Sequence, residues 1–221
     1  MATTRRRKFW GWGFEDDQPP HSEVEEAAAG IRAHLGFGDE DVERPARLED
    51  VELPPPRLEA PPSLAYLCSA DPYDRAAHAY GRSYRDLIRA FRGRFDNPPD
   101  VVAFPADERD VEHLLDWCAD ANAAAIPFGG GTSVVGGVEA AVPERYAGAV
   151  TIDLTRLDRV LEVDAVSRAA RAQAGATGPV LEAQLKEHGL TLRHYPQSFE
   201  LSTLGGWIAT RSGGHFATLA T

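Results

Sequence analysis

Cysteine is nearly absent: Cys68 and Cys118 are the only two in 221 residues. Two thiols cannot build the disulfide framework of a secreted scaffold, and neither lies in a CxxC or beside a ligand-spaced histidine pair. Buried or half-buried free thiols are expected, and no metal site. Long apolar runs are also missing, since none approaches the ~18 residues of a membrane-spanning helix. Arg5-Arg6-Arg7-Lys8 looks like the start of a signal peptide, but no apolar stretch follows it, so a reducing, cytoplasmic setting is expected. Positive charge is short: 23 Lys and Arg against 34 Asp and Glu leave −11. That argues against a sequence-independent nucleic-acid binder, which needs clustered cations. Lysine is confined to Lys8 and Lys186, an arginine bias that fits a GC-rich genome.

Apolar residues make up 43% of the chain, too many for a disordered protein and enough for a real core. The acidity is uneven. Residues 1–14 carry +4, residues 15–60 carry −10, and residues 61–221 carry −5. Residues 15–60 also overlap a proline-rich stretch, and Pro54-Pro55-Pro56 excludes helix and central strand there. Residues 44–62 therefore read as an extended arm lying over the body. Upstream, Ser22 is placed to cap a helix ending near Leu35, with Gly36 as its stop. Short helices are expected near Asp74–Tyr80 and Ser83–Phe91. From residue 98 the pattern changes. Strands are expected at Val101–Phe104, Ala124–Phe128 and Ala149–Leu154. A helix opened by Asp107 carries Val111, Leu114, Leu115 and Cys118 on one face. Arg159–Val163 and Arg168–Ala174 read as a hairpin. A last helix begins at Thr177 and runs to about His188, with Leu181, Leu185 and His188 aligned and Gly189 as its stop. The order predicts an α+β fold with mixed pairing.

Five glycines lie between Gly129 and Gly137, in GGGTSVVGG directly after a strand. Such a loop can turn its backbone N–H groups inward around a phosphate. It has no Gly-Lys-Ser/Thr, and Val134 stands where a GxGxxG would place its third glycine. By itself the loop allows either a phosphate-bearing ligand or a ligand-free turn. A second unusual stretch, HYPQSFELSTLGGWIATRSGG, joins hydroxyl side chains to two glycine pairs. It allows contact with a polar ligand or a tightly packed helix pair.

PFGGGTSVVGG followed by PQSFELSTLGGWIATRSGG resembles the FAD-binding domain of the vanillyl-alcohol oxidase / p-cresol methylhydroxylase superfamily of FAD-linked oxidases. The opening RRRKFWGWGFED, taken with STLGGWIATR, is similar to the alkylglycerone-phosphate synthase group of that superfamily. The resemblance implies a PCMH-type FAD domain of two α/β subdomains, incomplete here, over residues 96–221. An irregular and helical arm over 1–95 precedes it, and the chain is expected to be the N-terminal part of a longer protein. Non-covalent FAD is implied, with three contact segments. Pro127, Phe128, Gly129, Gly130, Gly131, Thr132 and Ser133 match the pyrophosphate loop. Gln197, Ser198, Phe199, Glu200, Leu201, Ser202 and Thr203 match a segment along the flavin, Gln197 standing where the synthases usually have Asp. Thr210, Arg211, Ser212 and Gly213 match a third contact.

The glycine loop contains no histidine for covalent attachment, and His215 is expected to be an ordinary polar residue. His188, His194 and Trp207 are expected to be structural. The implied activity is exchange of an acyl for an alkyl group on dihydroxyacetone phosphate. An FAD-linked oxidase or dehydrogenase of a 2-hydroxy acid or alcohol uses the same segments and stays open, as does an inactive fragment. No catalytic residue is assigned within residues 1–221. A small lipid substrate is implied. Peripheral membrane contact and a homodimer of the longer protein are left open, with the four leading bases read as a solvated terminus.

Overall fold

The computed structural model describes residues 5–214. A four-stranded sheet organises the body, in the order β1-β2-β4-β3, with β1 (Cys68–Ser69), β2 (Val101–Ala103), β3 (Ala123–Phe128) and β4 (Gly148–Asp153). β2, β4 and β3 run parallel, and β1 adds an antiparallel edge, so the pairing is mixed as expected. Every residue of β4 is buried, because both its neighbours are strands and both its faces are covered. The ladder pairs Val101 with Val150 and Ile126 with Thr151, bringing the C-terminal ends of β2, β3 and β4 to one side. That is where parallel sheets place their ligands.

α4 (Glu108–Asp120) packs on this sheet. Asp107 caps it by accepting from the Asp110 N–H at 2.9 Å, as its sequence position implies. Leu114 and Cys118 enter the core with Leu64, Leu67, Val150 and Ile152, whereas Leu115 is exposed. One turn of helix brings residues four apart to the same face, so Leu114 and Cys118 share the buried stripe. Burial pushes both thiols, Cys68 and Cys118, up to about 11, which keeps them protonated.

Upstream, α1 (His21–Leu35) begins after Pro20 without a side-chain cap, so Ser22 is inside the helix and not its cap. Pro20 supplies an extended entry and leaves the first N–H groups to water. Gly36 ends the helix in a left-handed conformation, as expected. The proline-rich stretch lies over the body, extended as expected apart from one 3-10 turn at Leu48–Asp50. Arg57 grips Asp100 through its backbone N–H, Nε and Nη2, and Arg75 donates to the carbonyl of Pro54. α2 (Pro72–Ala77) and α3 (Tyr84–Phe91) follow, α3 opened by a capping box between Ser83 and Asp86. They enclose a second cluster of Phe9, Ala76, Ala79, Tyr80, Ala90 and Phe95.

β5 (Val160–Asp164) and β6 (Ala169–Ala172) form the expected antiparallel hairpin, with Arg168 at positive φ in its turn. α5 (Gly178–Lys186) covers it through Leu181 and Leu185. The helix ends before His188, which is exposed instead of continuing the apolar face. The short α6 (Leu204–Thr210) closes the cluster with Trp207. Among the described residues no helix is long and apolar enough to cross a membrane.

Candidate functional site

The glycine loop leaves the C-terminal end of β3 and runs against the segment before α6. A β-carbon at Gly130 would overlap the carbonyl oxygen of Leu201, and one at Gly129 would overlap the Thr203 hydroxyl. Gly131 has φ +64°, a left-handed backbone over the Phe128 ring. Glycine is therefore required for close approach and for backbone shape alike. The loop closes on itself where the Ser133 hydroxyl accepts from the Gly137 N–H at 3.1 Å. Its far end is tethered by Glu139, which takes both Nη atoms of Arg89 at 2.9 Å. Among the described residues, the backbone N–H groups of Gly129, Gly130, Gly131, Thr132 and Ser133 have no protein acceptor. Five free donors in an electrically neutral loop suit a phosphate.

The second segment is a compact turn. Ser198 accepts through its carbonyl from the Leu201 N–H, the Ser202 N–H and the Ser202 hydroxyl. The Ser202 hydroxyl accepts in turn from the Trp207 indole N–H at 2.7 Å. Trp207 is buried and stacks with Phe199 at 6.4 Å and 11°. It serves packing, as expected. Thr203 caps α6 and bridges to Thr177, locking the turn to the hairpin unit.

Between the two segments lies a groove of about 860 Å³. Thr132 and Val134 form one wall, Pro196 through Leu201 another, and Ser212 a third. The three segments expected to share a ligand therefore meet in one place. Within them the residues divide. Thr132, Gln197, Ser198, Phe199, Glu200, Leu201 and Ser212 face the groove. Phe128 is buried beneath the loop, and Ser202 and Thr203 are buried behind the turn. Pro127 is exposed on β3, away from the groove lining. Thr210 turns its hydroxyl onto the Gly206 carbonyl, Arg211 is an exposed left-handed helix end, and Gly213 is exposed. His215 lies outside the described residues. Trp12 and Gly13 also line the groove. They belong to the WGWG signature, whose tight turn carries the Lys8 N–H onto the Gly13 carbonyl at 3.1 Å.

A second cavity of about 440 Å³ lies on the other side of Gly129 and Gly130. The basic run lines it; Arg5 and Arg6 are exposed, as expected of a solvated terminus, whereas Arg7 and Lys8 are enclosed and are not. The Arg6 guanidinium lies 3.7 Å over the Tyr73 ring, Arg7 donates to the Gly130 carbonyl at 2.8 Å, and Lys8 is buried. Stacking and burial of the long side chains outweigh their solvation here. His78 faces the Asp153 carboxylate through Nε2 at 2.9 Å and the Asp74 carbonyl through Nδ1 at 2.7 Å. Sequence reasoning nominated neither His78 nor Asp153, because they are 75 residues apart and no local pattern joins them. Among the described residues no group of three His, Cys, Asp or Glu is placed to hold a metal ion.

A parallel sheet carrying a neutral, glycine-rich anion loop, with a long groove beside it, defines a cofactor-binding domain. Residues 99–221 match the FAD binding domain family, and the chain belongs to it. FAD is accordingly its cofactor, and the free N–H groups and the hydroxyl-lined groove fit a diphosphate with a flat ring beyond it. More particularly, the chain is similar to alkyldihydroxyacetonephosphate synthases. It is 44% identical to that of Dictyostelium discoideum over 145 residues, which is 66% of this chain and 23% of the relative. It is 39% identical to that of Trypanosoma brucei brucei over 169 residues, 73% of this chain and 28% of the relative. A solved alkyldihydroxyacetonephosphate synthase superposes with a TM-score of 0.79 at 33% identity, covering 94% of this chain and 43% of that one. The chain thus spans less than half the length of these relatives.

Proposed function

We propose that the chain is the FAD-holding part of an alkyldihydroxyacetonephosphate synthase-like enzyme, which replaces the acyl group of an acylated dihydroxyacetone phosphate with the alkyl group of a fatty alcohol. One observation carries the reading: the WGWG arm lines the same groove as the glycine loop and the 196–201 turn. Likeness to the synthases extends over 169 residues, more than the stretch 99–221 can hold. It therefore takes in sequence outside the FAD domain match, where a feature shared with all FAD-linked oxidases is not required.

FAD, when bound, supplies a ring that can accept and return electrons, so the exchange needs no net oxidant. The chain's own work is to bind and orient. Loop N–H groups hold the diphosphate without a cationic side chain in the groove wall. The 196–201 turn, stiffened by the Ser198–Ser202–Trp207 bonds, gives the flavin a fixed support. The Trp12 side chain borders the groove. The test supplies the full-length protein with acyl-dihydroxyacetone phosphate and a long-chain alcohol. Ether-linked product is expected. Absence of that product, with anaerobic bleaching of the flavin by a 2-hydroxy acid, would identify a dehydrogenase instead.

A further inference from the structure

The basic run and Arg82 lie outside the residues that match the FAD binding domain family, yet they are built into the back of its loop. Lys8 is 8% exposed and Arg82 5%. Among the described residues, Arg7, Lys8 and Arg82 form no ion pair with a carboxylate, whereas Arg5 pairs with Asp16 and Asp17. Arg82 donates only to carbonyls, through Nη1 to Gly81 at 2.8 Å and Nη2 to Lys8 at 3.3 Å, and its buried Nε has no partner. Burial, reinforced by the neighbouring Arg7 and partly offset by Asp86, pushes Arg82 down to about 10. Burial also lowers Arg7, an effect that Asp153 partly offsets. Both carboxylates of the same cavity are engaged elsewhere, Asp153 with His78 and Thr155, and Asp74 with the Ser69 hydroxyl. Nearby carboxylates, Asp153 for Arg7 and Asp86 for Arg82, act on these cations without pairing directly and offset burial only in part, so a further anion close by would stabilise the cluster.

The backbone shows where that anion would be. Arg7 holds the Gly130 carbonyl at 2.8 Å, and the Arg82 N–H holds the Ser133 carbonyl at 2.6 Å. Among the described residues there are no cis peptides, and in a trans peptide the C=O and the following N–H point in opposite directions. The Gly131 N–H is therefore turned away from the Arg7 guanidinium, and the Val134 N–H away from the Arg82 backbone, while Thr132 and Val134 border the groove. We infer that Arg7, Lys8 and Arg82 form a cationic layer behind the glycine loop, which supplies counter-charge to the FAD diphosphate and fixes the loop's N–H groups toward it. The inference rests on the FAD reading of the groove. Across the buried Gly130–Gly131 backbone such attraction is screened by salt less than between exposed charges.

The test uses full-length protein freed of flavin. Dissociation constants are measured for FAD and for riboflavin, which has the same ring and no phosphate, in the wild type and in Arg7→Gln, Arg82→Gln and Arg7→Lys. Each Gln variant is expected to weaken FAD by about tenfold or more and to leave riboflavin unchanged, while Arg7→Lys recovers part of the loss. Unchanged FAD binding, or equal weakening of both ligands, would overturn the layer. Where a Gln variant fails to fold, Lys8→Gln carries the same comparison, since the Lys8 side chain makes no hydrogen bond among the described residues. A wild type that binds neither ligand would instead overturn the FAD reading itself.

Discussion

Gly130 is the residue on which the site depends most directly. Its Cα approaches the Leu201 carbonyl so closely that any β-carbon overlaps it. Gly130→Ala must therefore part the loop from the 196–203 turn, the seam that defines the groove. Fluorescence titration of the full-length variant is expected to show FAD affinity reduced by about tenfold or more, since a displaced loop loses several N–H contacts at once. Affinity equal to wild type would mean that the seam is not needed for binding. Asp100 plays the equivalent part for the fold. Its buried carboxylate accepts from Arg57 three times and from the Ala149 N–H at 2.7 Å. Burial alone would raise its pKa, but these bonds outweigh burial and hold it below the usual carboxylate range. Asp100→Asn removes the charge and turns one acceptor into a donor facing N–H groups. A loss of ~2–3 kcal/mol is expected in urea unfolding; an unchanged midpoint would show that the pair is dispensable.

At the scale of elements, the arm and the body are joined through α3. Arg89 bonds Glu139 twice and Asp86 once, and lies 4.0 Å over the Tyr80 ring. Glu139 ends the stretch that begins at the glycine loop, so α3 anchors the loop's distal end. Arg89→Ala leaves two mostly buried carboxylates, Glu139 and Asp86, without their cation. It is expected to cost ~2–3 kcal/mol in urea unfolding and to weaken FAD binding. Loss of stability with FAD affinity intact would separate the anchor from the site. The elements themselves were legible where periodicity or punctuation is strong. Strands β2 to β6 and helices α2 to α5 lie within a few residues of where alternation, Asp107, Ser83 and Gly178-Pro179 place them. β1 was not legible, because two residues carry no alternation. The glycine loop and the 197–203 turn were legible as separate features. Their meeting was not, because Gly130 and Leu201 touch only through tertiary packing. The basic run misled in part for the same reason: Arg5 and Arg6 are exposed, but Arg7 and Lys8 read as solvated until Gly130 and Trp10 close around them.

For the whole molecule, the −11 net charge is less informative than where two of its carboxylates sit. Asp100 ties residue 57 to the sheet, and Glu139 ties residue 89 to the loop. Both are held below the ordinary carboxylate range, Glu139 chiefly by its bonds from Arg89. A carboxyl whose folded pKa is depressed contributes stability at pH above its unfolded value of about 4. That contribution disappears as pH falls through the lower folded value. Stability is therefore expected to hold from neutral pH to about pH 5 and then to decline below pH 4. The decline should begin where the two ties fasten residues 44–62 and α3, because the ladder of β2 to β4 is held chiefly by backbone hydrogen bonds and buried apolar side chains. Pepsin at pH 3 to 4 should accordingly cut first within residues 44–62, ahead of any cut in β2 to β4. Asp100→Asn removes one tie at every pH, so chymotrypsin at pH 7 should open the same stretch in that variant and spare it in the wild type. First cuts in the sheet, or equal resistance of the two proteins at pH 7, would show that the arm is held by the packing of Leu48, Val51 and Leu53 against the Phe9 and Tyr80 cluster and not by these ion pairs.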